Sequence, residues 1–110
     1  MRHAEIYYKG EKAGLLTQND DGSFIYQYDD LWMLDTRKPP ISLTLPKTKQ
    51  EYKSNYLFPF FYNMLPEGTN KQVVCKHMRI DNDDYFSLLL ITARYDTIGA
   101  VTVKKIPINI

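Results

Sequence analysis

Residues 19–28 read Asn19-Asp20-Asp21-Gly22-Ser23-Phe24-Ile25-Tyr26-Gln27-Tyr28. The first four are a turn signal: Asn and Asp tolerate left-handed backbone, and Gly adopts it without a Cβ penalty. The run after the turn alternates, with Phe24, Tyr26 and Tyr28 on one face, which is the period of a half-buried strand. A strand that begins at a tight turn needs an antiparallel partner just before it. Residues 13–18 supply that partner, and residues 4–9 a second, with Gly10 as the turn between them. The expectation is a three-stranded meander.

Beyond Tyr28 the signals change. Asp29 is placed to cap a short turn of helix carrying Leu31, Trp32 and Leu34. Pro39-Pro40 breaks regular structure. Ile41, Leu43 and Leu45 alternate with polar residues and predict a fourth strand, ended by Pro46, and residues 47–55 read as an exposed polar loop. Pro59 suits the first position of a helix with Phe60, Phe61, Met64 and Leu65 on one face. Thr69 and Gln72 have capping-box spacing and predict a helix through Met78, with Val74, Cys75 and Met78 turned inward. Asn82, Asp83 and Asp84 would cap a third helix, in which Phe86, Leu89, Leu90 and Ala93 form an apolar stripe and Arg94 suits the negative end. Gly99 then turns the chain into a last strand over 100–104. Strands, then helices, then a strand predict an α+β fold: a small antiparallel sheet or partial barrel of about five strands, with about three helices in the second half. At 110 residues the chain reads as one domain, 1–110.

The composition narrows the function. A net charge of +1 gives no global field to gather nucleic acid or acidic lipid, so no direct nucleic-acid or membrane partner is expected. A single cysteine forbids an intrachain disulfide, and the N-terminus lacks the apolar run of a signal peptide, so a cytoplasmic protein is expected. Cys75 and His77 lie too close for a usual zinc pattern and have no second pair. The run Asp81-Asn82-Asp83-Asp84 has Phe86 and Thr92 where a calcium loop needs Gly and Glu. No serine has a nucleophile-elbow context, and five scattered glycines make no phosphate cradle. The expectation is a protein without metal, cofactor or catalytic residues that acts by binding another protein.

The stretch that stands out is Phe58-Pro59-Phe60-Phe61-Tyr62-Asn63-Met64-Leu65-Pro66-Glu67-Gly68. A short helix that is apolar on both faces needs cover on both sides, and a partner can supply the second cover. Trp32, set among Asp29, Asp30 and Asp35, has the apolar-centre, polar-rim surroundings of a binding hot spot. The interface candidates are therefore Trp32, Phe58, Phe60, Phe61, Met64, Leu65, Pro66, Glu67 and Gly68.

These residues, in this order, resemble the N-terminal domain of HipA-type toxin kinases. The resemblance rests on Phe24-Ile25-Tyr26, Trp32, Ile41-Ser42-Leu43-Thr44-Leu45-Pro46, the Phe60-to-Gly68 run, Asp84-Tyr85-Phe86-Ser87-Leu88-Leu89 and Tyr95-Asp96-Thr97-Ile98-Gly99-Ala100-Val101. In that family the domain precedes a Ser/Thr kinase core that holds the ATP loop and the catalytic and metal-binding aspartates. Those residues would lie beyond Ile110, so none is carried over. The resemblance implies a detached lobe of a split toxin–antitoxin module linked to bacterial persistence. Its partners would be a HipA-like kinase lacking this domain and a helix-turn-helix DNA-binding protein. Two functions follow: an antitoxin-like subunit that inhibits the kinase, or an accessory lobe the kinase needs for activity; a third reading, of a different class, is an independent nucleic-acid-binding or enzymatic domain, against which the low net charge and the lack of motifs weigh.

Overall fold

The computed structural model describes residues 1–65, 68–81, 83–92 and 100–106. Its centre is the expected meander: β1 (Arg2–Tyr8), β2 (Glu11–Gln18) and β3 (Phe24–Tyr28), antiparallel in sequence. The β1–β2 turn takes positive φ at both Lys9 and Gly10, 49° and 83°, the backbone twist that suits a two-residue hairpin. Gly22, at φ 89°, ends the second turn, and its N–H donates to Asn19 O at 2.9 Å.

Four helices and two more strands follow: α1 (Asp30–Leu34), β4 (Glu51–Ser54), α2 (Pro59–Tyr62), α3 (Gly68–Met78), α4 (Tyr85–Thr92) and β5 (Val101–Lys105). The sheet is open and wholly antiparallel, in the order β4-β3-β2-β1-β5. Among the described residues the fold is α+β with five strands and three of its helices in the second half, as expected. No described helix is long and apolar enough to cross a membrane.

The register puts Ile6, Leu16, Tyr26, Tyr28 and Val103 on one face, all fully buried or nearly so. Phe61 of α2 and Phe86 and Leu89 of α4 cover that face. Gly14 lies on it too, opposite Ile6 and Tyr28. A Cβ there would sit 2.4 Å from Gln27 O and 2.5 Å from the Tyr26 hydroxyl oxygen, so the missing side chain makes room for the Tyr26 ring.

Four local expectations need correction. Residues 41–45 are a turn, not a strand: Leu45 N–H donates to Ser42 O at 3.1 Å, Ile41 and Leu45 are buried, and Leu43 points to solvent. The alternation that reads as a strand is a pair of anchors four residues apart. The Tyr28 hydroxyl holds both anchors, accepting from Ile41 N–H at 3.0 Å and donating to Leu45 O. The polar stretch 47–55 holds the edge strand β4, whose outward residues are charged because one of its faces meets water. Helix α1 forms where expected and carries Leu31, Trp32 and Leu34, but Asp29 occupies the cap position without a side-chain cap bond; of the three only Trp32 is buried, and Leu31 and Leu34 are exposed. Helix α3 starts at Gly68, one residue before Thr69, and Met78 is half-exposed rather than inward. Pro66, Glu67, Asn82, Ala93, Arg94 and Gly99 lie outside the described residues.

Tyr26 and Tyr28 make a controlled pair. Both rings are buried on one face, 4.9 Å apart and edge-on. The Tyr28 hydroxyl joins two backbone groups, whereas the Tyr26 hydroxyl has no hydrogen-bond partner among the described residues. Tyr28→Phe should therefore lower unfolding free energy by about 1–3 kcal/mol, because it strands a buried N–H and a buried carbonyl, while Tyr26→Phe should be neutral or stabilising. Gly14→Ala should cost about 1–3 kcal/mol by overpacking against backbone. Urea unfolding of the three variants checks all of this.

Candidate functional site

The surface around α2 grows from its first residue. Pro59 opens the helix, as its fixed φ and missing N–H allow. Four residues cannot bury every side, so the side chains divide. Phe58 and Phe61 go inward, with Phe61 fully buried 5.9 Å from the Tyr26 ring and 5.2 Å from the Phe60 ring. Phe60, Met64 and Leu65 are half-buried and pack against that core. Tyr62 turns outward, half-exposed, and meets the Tyr85 ring edge-on at 5.5 Å. Lys71 of α3 lies 5.3 Å over the same Tyr85 ring.

Tyr85 is placed by the start of α4. Asp84 caps the helix: its carboxylate accepts from Ser87 N–H at 3.2 Å and from Ser87 Oγ at 2.7 Å. Arg2 reaches across from β1 and donates to the same carboxylate at 2.8 Å, with its guanidinium 4.9 Å over the Phe86 ring. Burial pushes the Asp84 carboxyl up, but the hydrogen bonds from Arg2 and Ser87 outweigh it and hold the group below the usual carboxylate range. Together Tyr56, Leu57, Tyr62, Phe24 and Tyr85 line an open hollow of about 390 Å³. Tyr56 is 80% exposed, which makes it the freest aromatic on this rim.

Trp32 sits at a different place. Its ring is buried edge-on to Tyr8 at 5.6 Å, its indole N–H donates to Pro39 O at 2.9 Å, and the Lys38 ammonium lies 5.0 Å over it. Lys38 is also paired with Glu11. Leu31 and Leu34 stand exposed beside it and line a second, shallower hollow of about 550 Å³. The structure thus brings Phe58, Phe60, Phe61, Met64 and Leu65 together and leaves Trp32 apart from them. Gly68 begins α3, and Pro66 and Glu67 fall outside the described residues.

The exposed apolar residues Leu31, Leu34, Tyr56 and Tyr62 are those that sequence reasoning passed over. One signal could have found the leucines: a five-residue helix that buries Trp32 must turn residues 31 and 34 away. No such signal marks Tyr56, because its exposure depends on how β4 ends.

The remaining titratable chemistry is structural. Burial pushes the Tyr26 hydroxyl well up, and pushes the Tyr28 hydroxyl up to about 12 against the opposing bond from Ile41 N–H. Lys47 donates to Asp35 O and Lys38 O at 2.8 Å each, which ties the loop before β4 to α1. Among the described residues no three His, Cys, Asp or Glu side chains gather as metal ligands, and Cys75 is buried while His77 faces solvent.

Comparison with known proteins places this arrangement. Residues 4–104 match the family model described as HipA N-terminal domain. A solved structure of the "N-terminal domain of HipA toxin" superposes with a TM-score of 0.73 at 30% identity, over 97% of this chain and 94% of that one. An uncharacterized protein of Haemophilus influenzae is 32% identical over 96% of this chain and 93% of its own length. Two proteins of Sinorhizobium fredii named "Putative kinase Y4mE" and "Putative kinase Y4dM" are 27% and 32% identical, and the matches span only 21% and 24% of their lengths.

The Asp84 cap carries a pH dependence with a definite sign. A carboxyl held below its unfolded value of about 3.9 stabilises the fold above that value, and the contribution is lost as pH falls through the folded value. Asp84→Ala should therefore lower stability by about 1 kcal/mol at neutral pH, and the gap to the wild type should narrow in acid. Thermal melts across the acid range measure it; a gap that stays constant with pH would contradict the assignment.

Proposed function

We propose that this chain, which belongs to the HipA N-terminal domain family, is a non-catalytic docking subunit that binds the core of a separately encoded HipA-like kinase and restrains it. The observation that carries this reading is the unlike length of three relatives. Matches of 89 and 100 residues cover about a fifth to a quarter of two proteins named "Putative kinase", and one of 105 residues covers nearly all of a small protein from Haemophilus influenzae. A domain that occurs inside kinases and also at nearly its own length is suited to meet the rest of a kinase across a non-covalent interface.

Inhibition has a physical route. Phosphoryl transfer depends on mobile elements held in register, and a lobe docked beside them can hold them out of it. The exposed Tyr56 and Tyr62 on the hollow between α2 and α4 are the side chains best suited to the contact, since aromatics bury large area at little entropic cost. The buried candidates Phe58 and Phe61 would act by holding that surface in shape, whereas Trp32 anchors α1 beside Tyr8 and Pro39, away from it. In this reading the complex is cytoplasmic and includes a helix-turn-helix DNA-binding protein.

The test is co-expression with a HipA-like kinase of the same genome that lacks this domain. The chain is expected to co-purify with the kinase, relieve its toxicity and lower its phosphorylation activity. The double variant Tyr56→Ser/Tyr62→Ser should fold normally and weaken the complex by about tenfold or more. A kinase inert alone and switched on by the chain would identify an accessory lobe instead. Unchanged toxicity with no complex would overturn docking altogether.

A further inference from the structure

The outer edge of β4 is open, with no strand beyond it among the described residues. Its hydrogen-bonding pattern follows from one contact: Tyr28 N–H donates to Gln50 O at 2.9 Å. Antiparallel partners alternate between bonded and non-bonded pairs. With Tyr26 opposite Tyr52 and Phe24 opposite Ser54, residues 50, 52 and 54 turn their backbone groups toward β3. Glu51 and Lys53 therefore turn theirs outward, along the free edge. Both side chains lie on the solvent face and are exposed, and among the described residues they pair only with each other, along the strand at 3.5 Å.

We propose that this edge pairs with the β4 edge of a second copy of the chain, antiparallel about a two-fold axis through Tyr52. That register puts Glu51 opposite the second copy's Lys53 and Lys53 opposite the second copy's Glu51. Both are bonded pairs, so the outward N–H and C=O groups of both residues are satisfied at the same time as the charges. The neighbouring registers that keep the bonding pattern fail on charge. Sliding two residues one way sets Glu51 against Glu51, and two the other way sets Lys53 against Lys53. A lysine alone on an edge strand repels its own copy and keeps sheets apart. Within β4, which begins at Glu51, the Glu51-x-Lys53 pair attracts its own copy in one register only. The second copy is thus the occupant that the charge pattern selects.

This inference does not depend on the kinase reading, since it concerns the chain alone. The test is sedimentation equilibrium of the full chain up to roughly millimolar concentration, the range a small interface demands. The wild type is expected to form a reversible dimer. Lys53→Glu sets two acidic pairs face to face and should weaken dimerisation by about tenfold or more. Adding Glu51→Lys to it restores both attractions and should restore the dimer. Lys53→Pro, which removes an outward N–H without touching a bond to β3, should also be monomeric. Thermal melts show whether each variant is folded, and the charge reversal and its rescue decide the matter even if the proline variant is not. A wild type monomeric throughout, a dimer indifferent to the single reversal, or a swapped chain that stays monomeric would each overturn the proposal.

Discussion

Everything in this fold leans on the packing of Tyr26 against Phe61 across the inner face of the sheet. The rings lie 5.9 Å apart, both are fully buried, and each gathers further aromatics: Tyr28 on the sheet side, Phe58 and Phe60 on the helix side. The contact joins the two halves of the chain, since β3 closes the meander and α2 opens the helical part. It also imposes a constraint on a third element. A ring the size of Tyr26 reaches across β2, and β2 must then offer bare backbone at Gly14. A core made of large aromatics is strong per residue but tolerant of little change around it.

That core explains which parts of the sequence were readable. The meander was legible because alternation and turn chemistry are local: Phe24, Tyr26 and Tyr28 declare a face, and Gly10 and Gly22 declare the turns. The start of α2 was legible from Pro59 and that of α4 from the acidic run ending at Asp84. Residues 41–54 were not legible, for a physical reason. Ile41 and Leu45 bury themselves by docking on the Tyr28 hydroxyl, a contact made across thirteen or more residues of chain. No local pattern reports such a contact, and the same alternation serves a strand or a pinned turn. β4 failed the opposite way. An edge strand needs only one apolar side chain on its inner face, here Tyr52, so Glu51-Tyr52-Lys53-Ser54 reads as loop.

The candidate surface divides along the same line. Its apolar richness was visible from Phe58 to Leu65, but composition does not say which aromatics are spent on the core. Packing does: Phe58 and Phe61 are, whereas Tyr62 and the nearby Tyr56 are left on the rim. Tyrosine suits that position because its hydroxyl stays solvated while its ring remains available to a partner. Trp32 illustrates the converse. Its indole N–H is satisfied by Pro39 O and its face by Lys38, so burying it creates no unmet polar group.

The topology also bears on how one pattern can match a part of two proteins named "Putative kinase" and nearly all of a shorter one. The last described strand, β5, lies at the sheet edge beside β1, so the N-terminal strand is interior and the C-terminal one peripheral. A polypeptide that continues past β5 leaves from an edge and crosses no interior strand, as un-knotted folds require. The aromatic contacts between β3 and α2, the Asp84 cap on α4 and the β1–β5 pairing close the domain on themselves. The core is complete in its own aromatic contacts among the described residues, and the exposed Tyr56 and Tyr62 lie outside it on the rim.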